Sequence, residues 1–172
     1  LNTKAELYII SGKAAYNKKQ IALIQSKIEK GAKVIMLNPG EQITHIFPEY
    51  ISSYLDKKLE TAHIDIPESK IFDGIEHMDL RYFNNNKAEK PLVYTGLIQV
   101  NEDSEAEPLV SGCEHRYARI KDRRKEMITM KGFPIVSIEN GGKVILSEMM
   151  LNKGVTDPIA AKLLSNMIID IL

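Results

Sequence analysis

The residues of this sequence best suited to covalent chemistry are one cysteine and the histidine two positions after it. Cys113 and His115 occur in the segment Ser111-Gly112-Cys113-Glu114-His115. A cysteine nucleophile needs a neighbouring base and is normally presented on a sharp turn between a strand and a helix. This segment instead follows an acidic loop, and adjacent residues of an extended chain point to opposite faces. We therefore interpret Cys113 as a packed thiol, and a cysteine-dependent amidotransferase-like hydrolase that uses Cys113 and His115 is the alternative.

Paired carboxylates are a second source of chemistry, since a glycoside hydrolase needs two of them about 5 to 10 Å apart. Glu76 and Asp79 are three residues apart and would share one face of a helix. Acidic residues in that arrangement are typical of a solvated face or a helix start. We predict no catalytic residue in this chain.

A small-ligand site, for a sugar in particular, is a further alternative. Ligands of doubly wound sheets bind at the carboxyl ends of the parallel strands. Ser11 and Gly12 follow the first predicted strand and Asn38 follows the second, so such a site is expected near these three residues. The turn lacks the G-x-G-x-x-G fingerprint of nucleotide binding, and the four histidines lie far apart in the sequence. Neither a cofactor nor a metal is predicted.

The first forty residues have the pattern of a strand, helix, strand unit. An apolar run from Glu6 to Ile10 ends at Ser11-Gly12, and a second run covers residues 33–37. Between them, residues 17–30 have helical periodicity, with Asn17 as the expected cap and Gly31 after the end. The two strands of such a unit are parallel neighbours.

The last forty residues predict a β-hairpin and a helix. Residues 133–139 and 143–148 flank Asn140-Gly141-Gly142, which is typical of a tight turn. A helix is expected to begin at the cap Asp157, and its apolar face should dock on the sheet.

The middle of the chain is less regular. Short helices are predicted within residues 43–55 and 75–83, and a strand within residues 92–100. Residues 101–107 predict an exposed acidic loop. The basic stretch Arg116–Glu126 predicts a solvated connection or hairpin, and an anion site is the alternative.

The composition indicates one domain without a strong electrostatic field. The chain has 172 residues, with 23 Lys and Arg against 23 Asp and Glu. This balance disfavours nucleic acid and membranes as partners. A single cysteine cannot form an internal disulfide and does not identify a compartment. We expect residues 1–172 to be one α/β domain cut from a larger protein.

Several segments resemble a glutamine amidotransferase-like, flavodoxin-like domain that occurs as an accessory module in β-galactosidase-like and related family 2 type glycoside hydrolases. The first is the helix-to-strand step at residues 30–34. The second comprises Phe47-Pro48-Glu49-Tyr50 and residues 71–83, and the third runs from residues 141–147 to residues 157–166. The resemblance covers nearly the whole chain.

This resemblance implies a three-layer α/β fold with a mostly parallel, flavodoxin-like sheet, a C-terminal β-hairpin and a docking helix. It implies a non-catalytic accessory domain of a carbohydrate-active glycoside hydrolase, whose hydrolysis belongs to a separate barrel domain. The implied partner is that catalytic domain of the same polypeptide, and a second copy of the chain and a carbohydrate are the alternatives. Where the parent is a secreted hydrolase, a periplasmic or extracellular location follows.

The segment that most resembles the family also contains two candidate interface residues. Asp79 and Arg81 flank Leu80, which is expected to anchor the segment to the core. Asp79 is predicted to cap a turn and Arg81 to pair with a nearby carboxylate. The alternative is that both reach across an interface to a partner domain.

Overall fold

The computed structural model describes residues 5–13, 15–58, 61–81, 94–120 and 123–172. As predicted, the chain begins with a strand, helix, strand unit. Strand β1 (Leu7–Ser11) is followed by helix α1 (Lys18–Glu29) and strand β2 (Lys33–Leu37), which pairs with β1 in parallel. Asn17 and Gln20 form a capping box: the Gln20 amide donates to Asn17 Oδ1 at 3.0 Å, and the Asn17 amide to Gln20 Oε1 at 2.9 Å.

The middle of the chain contains short elements. These are helix α2 (Ile43–Ile46) and strands β3 (Ile51–Leu55), β4 (Ala62–Ile64) and β5 (Leu97–Val100). The helix expected within residues 43–55 covers four residues, because Pro48 follows directly and the chain then extends into β3. The helix expected within residues 75–83 is reduced to a 3₁₀ turn at Asp79–Arg81, and residues 82–83 lie outside the described part.

Three strands that are consecutive in the chain complete the sheet. They are β6 (Glu107–Ile120), β7 (Arg123–Asn140) and β8 (Gly142–Ser147). The β7–β8 hairpin turns at Gly141, as expected. The sheet order is β1-β2-β8-β7-β5-β3, and β6 pairs with both β7 and β4.

The sheet is mixed, so the prediction of a mostly parallel sheet was wrong. Among the described strands, the β1–β2 and β2–β8 ladders are parallel and the other five are antiparallel. For β6–β7 and β7–β8 the reason is the short stretch of sequence between them: such a connection can only reverse the chain, whereas a parallel neighbour needs a crossover such as α1.

Two apolar cores lie on opposite faces of this sheet, which gives the fold three layers. Val34 and Met36 belong to the core that α1 and α2 cover, and the alternate residues Ile35 and Leu37 belong to the other core. The second core is covered by helix α3 (Pro158–Ile171), the predicted docking helix. Asp157 caps α3, since its Oδ1 accepts from the amides of Ile159 at 2.9 Å and Ala160 at 3.1 Å. Within the described residues, the helices are too short or too polar to cross a bilayer.

Candidate functional site

The turn after β2 joins the carboxyl ends of two parallel strands. Asn38 takes a left-handed conformation with φ of 51°, which asparagine tolerates better than most residues. Its Nδ2 lies 3.1 Å from Thr95 Oγ1 and 3.2 and 3.3 Å from the carbonyl oxygens of Glu148 and Met149. The Asn38 amide therefore ties the end of β2 to the segment that follows β8.

A buried carboxylate lies at the centre of this polar cluster. Glu148 is 0% exposed. Its Oε1 accepts from the Gly40 amide at 2.7 Å, and its Oε2 accepts from the hydroxyls of Thr95 at 3.0 Å and Tyr54 at 3.3 Å. Burial raises the pKa of Glu148 above its ordinary value, although these hydrogen bonds and the charge of Lys13 offset part of the shift.

A cleft of about 350 Å³ opens next to this cluster. Its walls are formed by Lys13, Ala15, Pro39, Glu41, Gln42, Tyr54 and Asp56. Lys13 Nζ lies 3.4 Å from Asp56 Oδ1 and 5.8 Å from the centroid of the Tyr54 ring. The side chains of Lys13 and Asp56 are 51% and 69% exposed, so their ion pair contributes little stability and can exchange for a ligand.

Tyr54 connects the cleft to the buried carboxylate. Burial, and then the charge of Glu148, raise the pKa of Tyr54 above its ordinary value, so its hydroxyl stays protonated and donates to Glu148. Because the hydrogen bond to Glu148 holds the hydroxyl, the Tyr54 ring has a fixed position in the cleft wall. A fixed ring among Lys13, Asp56 and Gln42 offers a stacking surface with donors and acceptors around it.

The three predicted ligand residues do not line the cleft, although Gly12 and Asn38 directly precede Lys13 and Pro39, which do. Ser11 is exposed at the end of β1, and Gly12 follows with φ of 97° and donates its amide to the Leu37 carbonyl at 2.9 Å. Gly12 thereby directs Lys13 towards the cleft, and Asn38 supports the turn next to it.

Sequence reasoning missed Glu148, Tyr54 and Asp56. A signal for Glu148 was present, because it directly follows the apolar run of β8, as Asn38 follows that of β2. The pairing of Leu37 with Ser147 puts these two residues at the same end of the sheet.

The structure places Cys113 away from this cleft. Cys113 lies in β6 opposite Met130, is 8% exposed and does not line the cleft. Burial raises the pKa of its thiol, and the charge of Asp65 raises it further, so the reactive thiolate is disfavoured. The side chain of His115 lies outside the described part of the structure.

Asp79 makes a local hydrogen bond. Its Oδ2 accepts from the Glu76 amide at 2.8 Å, and Leu80 is fully buried. This bond is the capping contact expected of Asp79, while its interface role stays a prediction. The side chain of Arg81 lies outside the described part.

Two histidines that are distant in sequence meet near β4. The rings of His63 and His77 pack edge to face with centroids 5.4 Å apart, and His77 Nδ1 accepts from the Ile64 amide at 3.1 Å. In the described residues, His, Cys, Asp and Glu form no group of three or more arranged to hold a metal ion.

Comparisons with known proteins show a similar fold but no matching family. No family model and no curated protein matches this sequence. Among solved structures, the chain is similar to the cytoplasmic protein STM3548 from Salmonella typhimurium, with a TM-score of 0.55 and 13% identity over 96% of this chain and 71% of that one. At this identity, the likeness supports the α/β fold alone.

Proposed function

We propose that this chain is a non-catalytic accessory domain of a larger carbohydrate-active protein of the glycoside hydrolase type. Its expected partner is the catalytic domain of the same polypeptide. The observation that carries the non-catalytic assignment is the turn after β2. Hydrolases of the cysteine or serine type expose a nucleophile on a sharp turn after a strand. The turn after β2 has a left-handed residue and leads into a 3₁₀ turn, and that residue is Asn38.

The chemistry of Asn38 supports this proposal. A carboxamide is not a nucleophile, and that of Asn38 is engaged by three oxygen acceptors. The chain's single thiol, Cys113, is buried within a strand and has a raised pKa. We further propose that β1, α1, β2, β8 and α3 correspond to the core of a flavodoxin-like domain, to which the antiparallel strands add an extension.

The proposal predicts that the chain has no hydrolytic activity of its own. Chromogenic galactosides and glutamine are expected to show no turnover above the buffer rate when incubated with folded protein. Cys113→Ala is the matched variant, expected to behave as the wild type and to lose only about 1 kcal/mol of stability. Turnover of either substrate that disappears in Cys113→Ala would establish the cysteine-dependent alternative.

Binding of a small polar ligand in the cleft is a second candidate function. The fixed Tyr54 ring and the exposed Lys13–Asp56 pair favour it, because stacking and paired hydrogen bonds are how proteins hold polyhydroxylated molecules such as sugars. The cleft volume suits a ligand at the small end of the usual range.

A thermal-shift series with monosaccharides, disaccharides and nucleotides tests this second function. A ligand at a hundredfold excess over its Kd stabilises the fold by about 2.7 kcal/mol, which raises the Tm by about 5 to 10 °C at this chain length. Asp56→Ala should abolish the shift, and the exposed control Lys58→Ala should retain it. A shift of equal size in Asp56→Ala would place the ligand elsewhere.

A further inference from the structure

The β6–β7 hairpin extends beyond the rest of the sheet as a two-stranded arm. β4 pairs with β6 only up to Gly112, and β5 contacts β7 at Phe133. From Glu114 paired with Thr129 to Ile120 paired with Arg123, these two strands pair with each other and with no other described strand. At 3.3 Å per residue, the arm is about 20 Å long.

The base of the arm is marked by an irregularity in the ladder. The register shifts between Gly112 and Cys113, and Gly132 on the opposite strand has φ of 142°. A bulge of this kind bends a strand and increases its twist, so it sets the direction in which the arm leaves the body. Met130, next to the bulge, is 57% exposed, which places the start of the arm in contact with solvent.

The arm has a net positive charge, while the rest of the chain has a net negative charge. From Glu114 to Thr129 the sequence has six Lys or Arg and three Asp or Glu. The arm therefore has a net charge of +3, and because the whole chain is neutral, the remainder has a net charge of −3. This excess of positive charge favours an anionic partner.

The body of the same chain has a groove of complementary charge. This acidic groove, of about 740 Å³, is lined by Glu49, Ser52, Ser53, Gln99, Val100, Asn101, Glu102, Asp103 and Ser104. Its three carboxylates are exposed, and its lining residues include no Lys or Arg. β3, at the groove, pairs with β5 on one side and has no described strand on the other.

We propose that this arm docks into the acidic groove of a second copy of the chain. The contact joins an arm of net charge +3 to a surface with exposed carboxylates. A nucleic acid fits less well, because the net charge of −3 on the body repels a polyanion close to the arm. Each copy has one arm and one groove, so reciprocal docking gives a symmetric dimer, and head-to-tail docking gives a ring or an open assembly. This inference does not depend on the proposed accessory function.

Charge reversal tests the proposal by sedimentation of the whole chain. The wild type is expected to self-associate at about 50 mM salt and to dissociate towards the monomer at about 500 mM. The arm variant Arg123→Glu/Arg124→Glu and the groove variant Glu102→Lys/Asp103→Lys should each self-associate at least about tenfold more weakly. Mixing these two variants should restore association. The acidic arm of the first variant can bind the basic groove of the second, and the basic arm of the second can bind the acidic groove of the first.

The control is Lys18→Glu/Lys19→Glu, which makes the same charge change on the exposed face of α1 and should associate as the wild type does. Circular dichroism verifies that every variant is folded. A wild type that is monomeric at both salt concentrations overturns the proposal. So does an arm variant that is indistinguishable from the control, or a monomeric wild type that binds a fluorescent DNA duplex.

Discussion

Replacing Glu148 with alanine is expected to lower the free energy of unfolding by about 3 to 5 kcal/mol. The substitution removes the acceptor of the Gly40 amide and of the hydroxyls of Thr95 and Tyr54, and it leaves a cavity in a fully buried position. Each buried donor left without a partner costs about 1 to 3 kcal/mol, and water entering the cavity recovers part of this loss. The same change frees the Tyr54 ring, so ligand binding in the cleft should weaken as well.

Urea unfolding followed by circular dichroism measures this effect. Glu148→Gln keeps the shape but replaces one acceptor oxygen with a donor, and it is expected to cost about 1 to 3 kcal/mol. The exposed Glu139→Ala is the control and should remain within about 0.5 kcal/mol of the wild type. A loss below about 1 kcal/mol in Glu148→Ala would mean that the buried cluster contributes little to the fold.

The raised pKa of Glu148 also gives the stability of the wild type a defined pH dependence. Its ordinary value is 4.5, and burial raises the pKa in the folded chain. Between the two values the folded state binds more protons than the unfolded state, so the free energy of unfolding falls as the pH rises through this window. Glu148→Gln lacks this titration. The stability advantage of the wild type over Glu148→Gln should therefore decrease as the pH rises from 4.5.

Replacing Gly142 with alanine is expected to cost about 3 kcal/mol, the upper end of overpacking. A Cβ at this position would overlap the carbonyl oxygen of Ala32 and lie 2.8 Å from that of Ile28. Both atoms belong to the backbone where α1 ends and the chain enters β2, so no rotamer change relieves the overlap. The hairpin and the helix would have to move apart.

Gly12→Ala provides a matched control for this prediction. A Cβ at Gly12 has no atom within 4 Å, and its φ of 97° is the only cause of strain. A left-handed position of this kind costs about 1 to 3 kcal/mol, and on an exposed turn we expect the lower end. Thermal or urea unfolding of the two variants compares overlap with backbone strain. Equal losses at both positions would contradict the close approach of β8 to α1.

Much of the fold could be predicted because its signals are local. The capping residues Asn17 and Gln20 are three residues apart, and Asp157 caps the two amides that follow it. The hairpin turn forms at Gly141 itself. The mixed sheet could not be predicted in the same way. The apolar patterns of these strands do not indicate that β5 pairs with β7 or that β4 pairs with β6.

The sequence predicts a ligand site near Ser11, Gly12 and Asn38, but it does not indicate the residues that form the cleft. Asn38 was identified because it follows a strand, and the position of Ser11 and Gly12 at the same edge follows from the parallel pairing. The chemistry of the site depends on distant contacts: 108 residues separate Gly40 from Glu148, and 94 separate Tyr54 from Glu148. Sequence periodicity contains no information on such pairs, so Glu148 appears in the sequence as one acidic residue among many.

The central position of β8 also constrains when the chain can fold during synthesis. β2 has β1 on one side, and its other side is completed only by residues 144–147. A nascent chain that ends before β8 therefore exposes an unpaired edge of Val34, Ile35 and Met36, which are all buried in the finished fold. Folding of the sheet is thus a late event dominated by contacts between distant parts of the chain, and such topologies fold slowly. Until then, the unpaired edge of β2 is open to pairing with another chain.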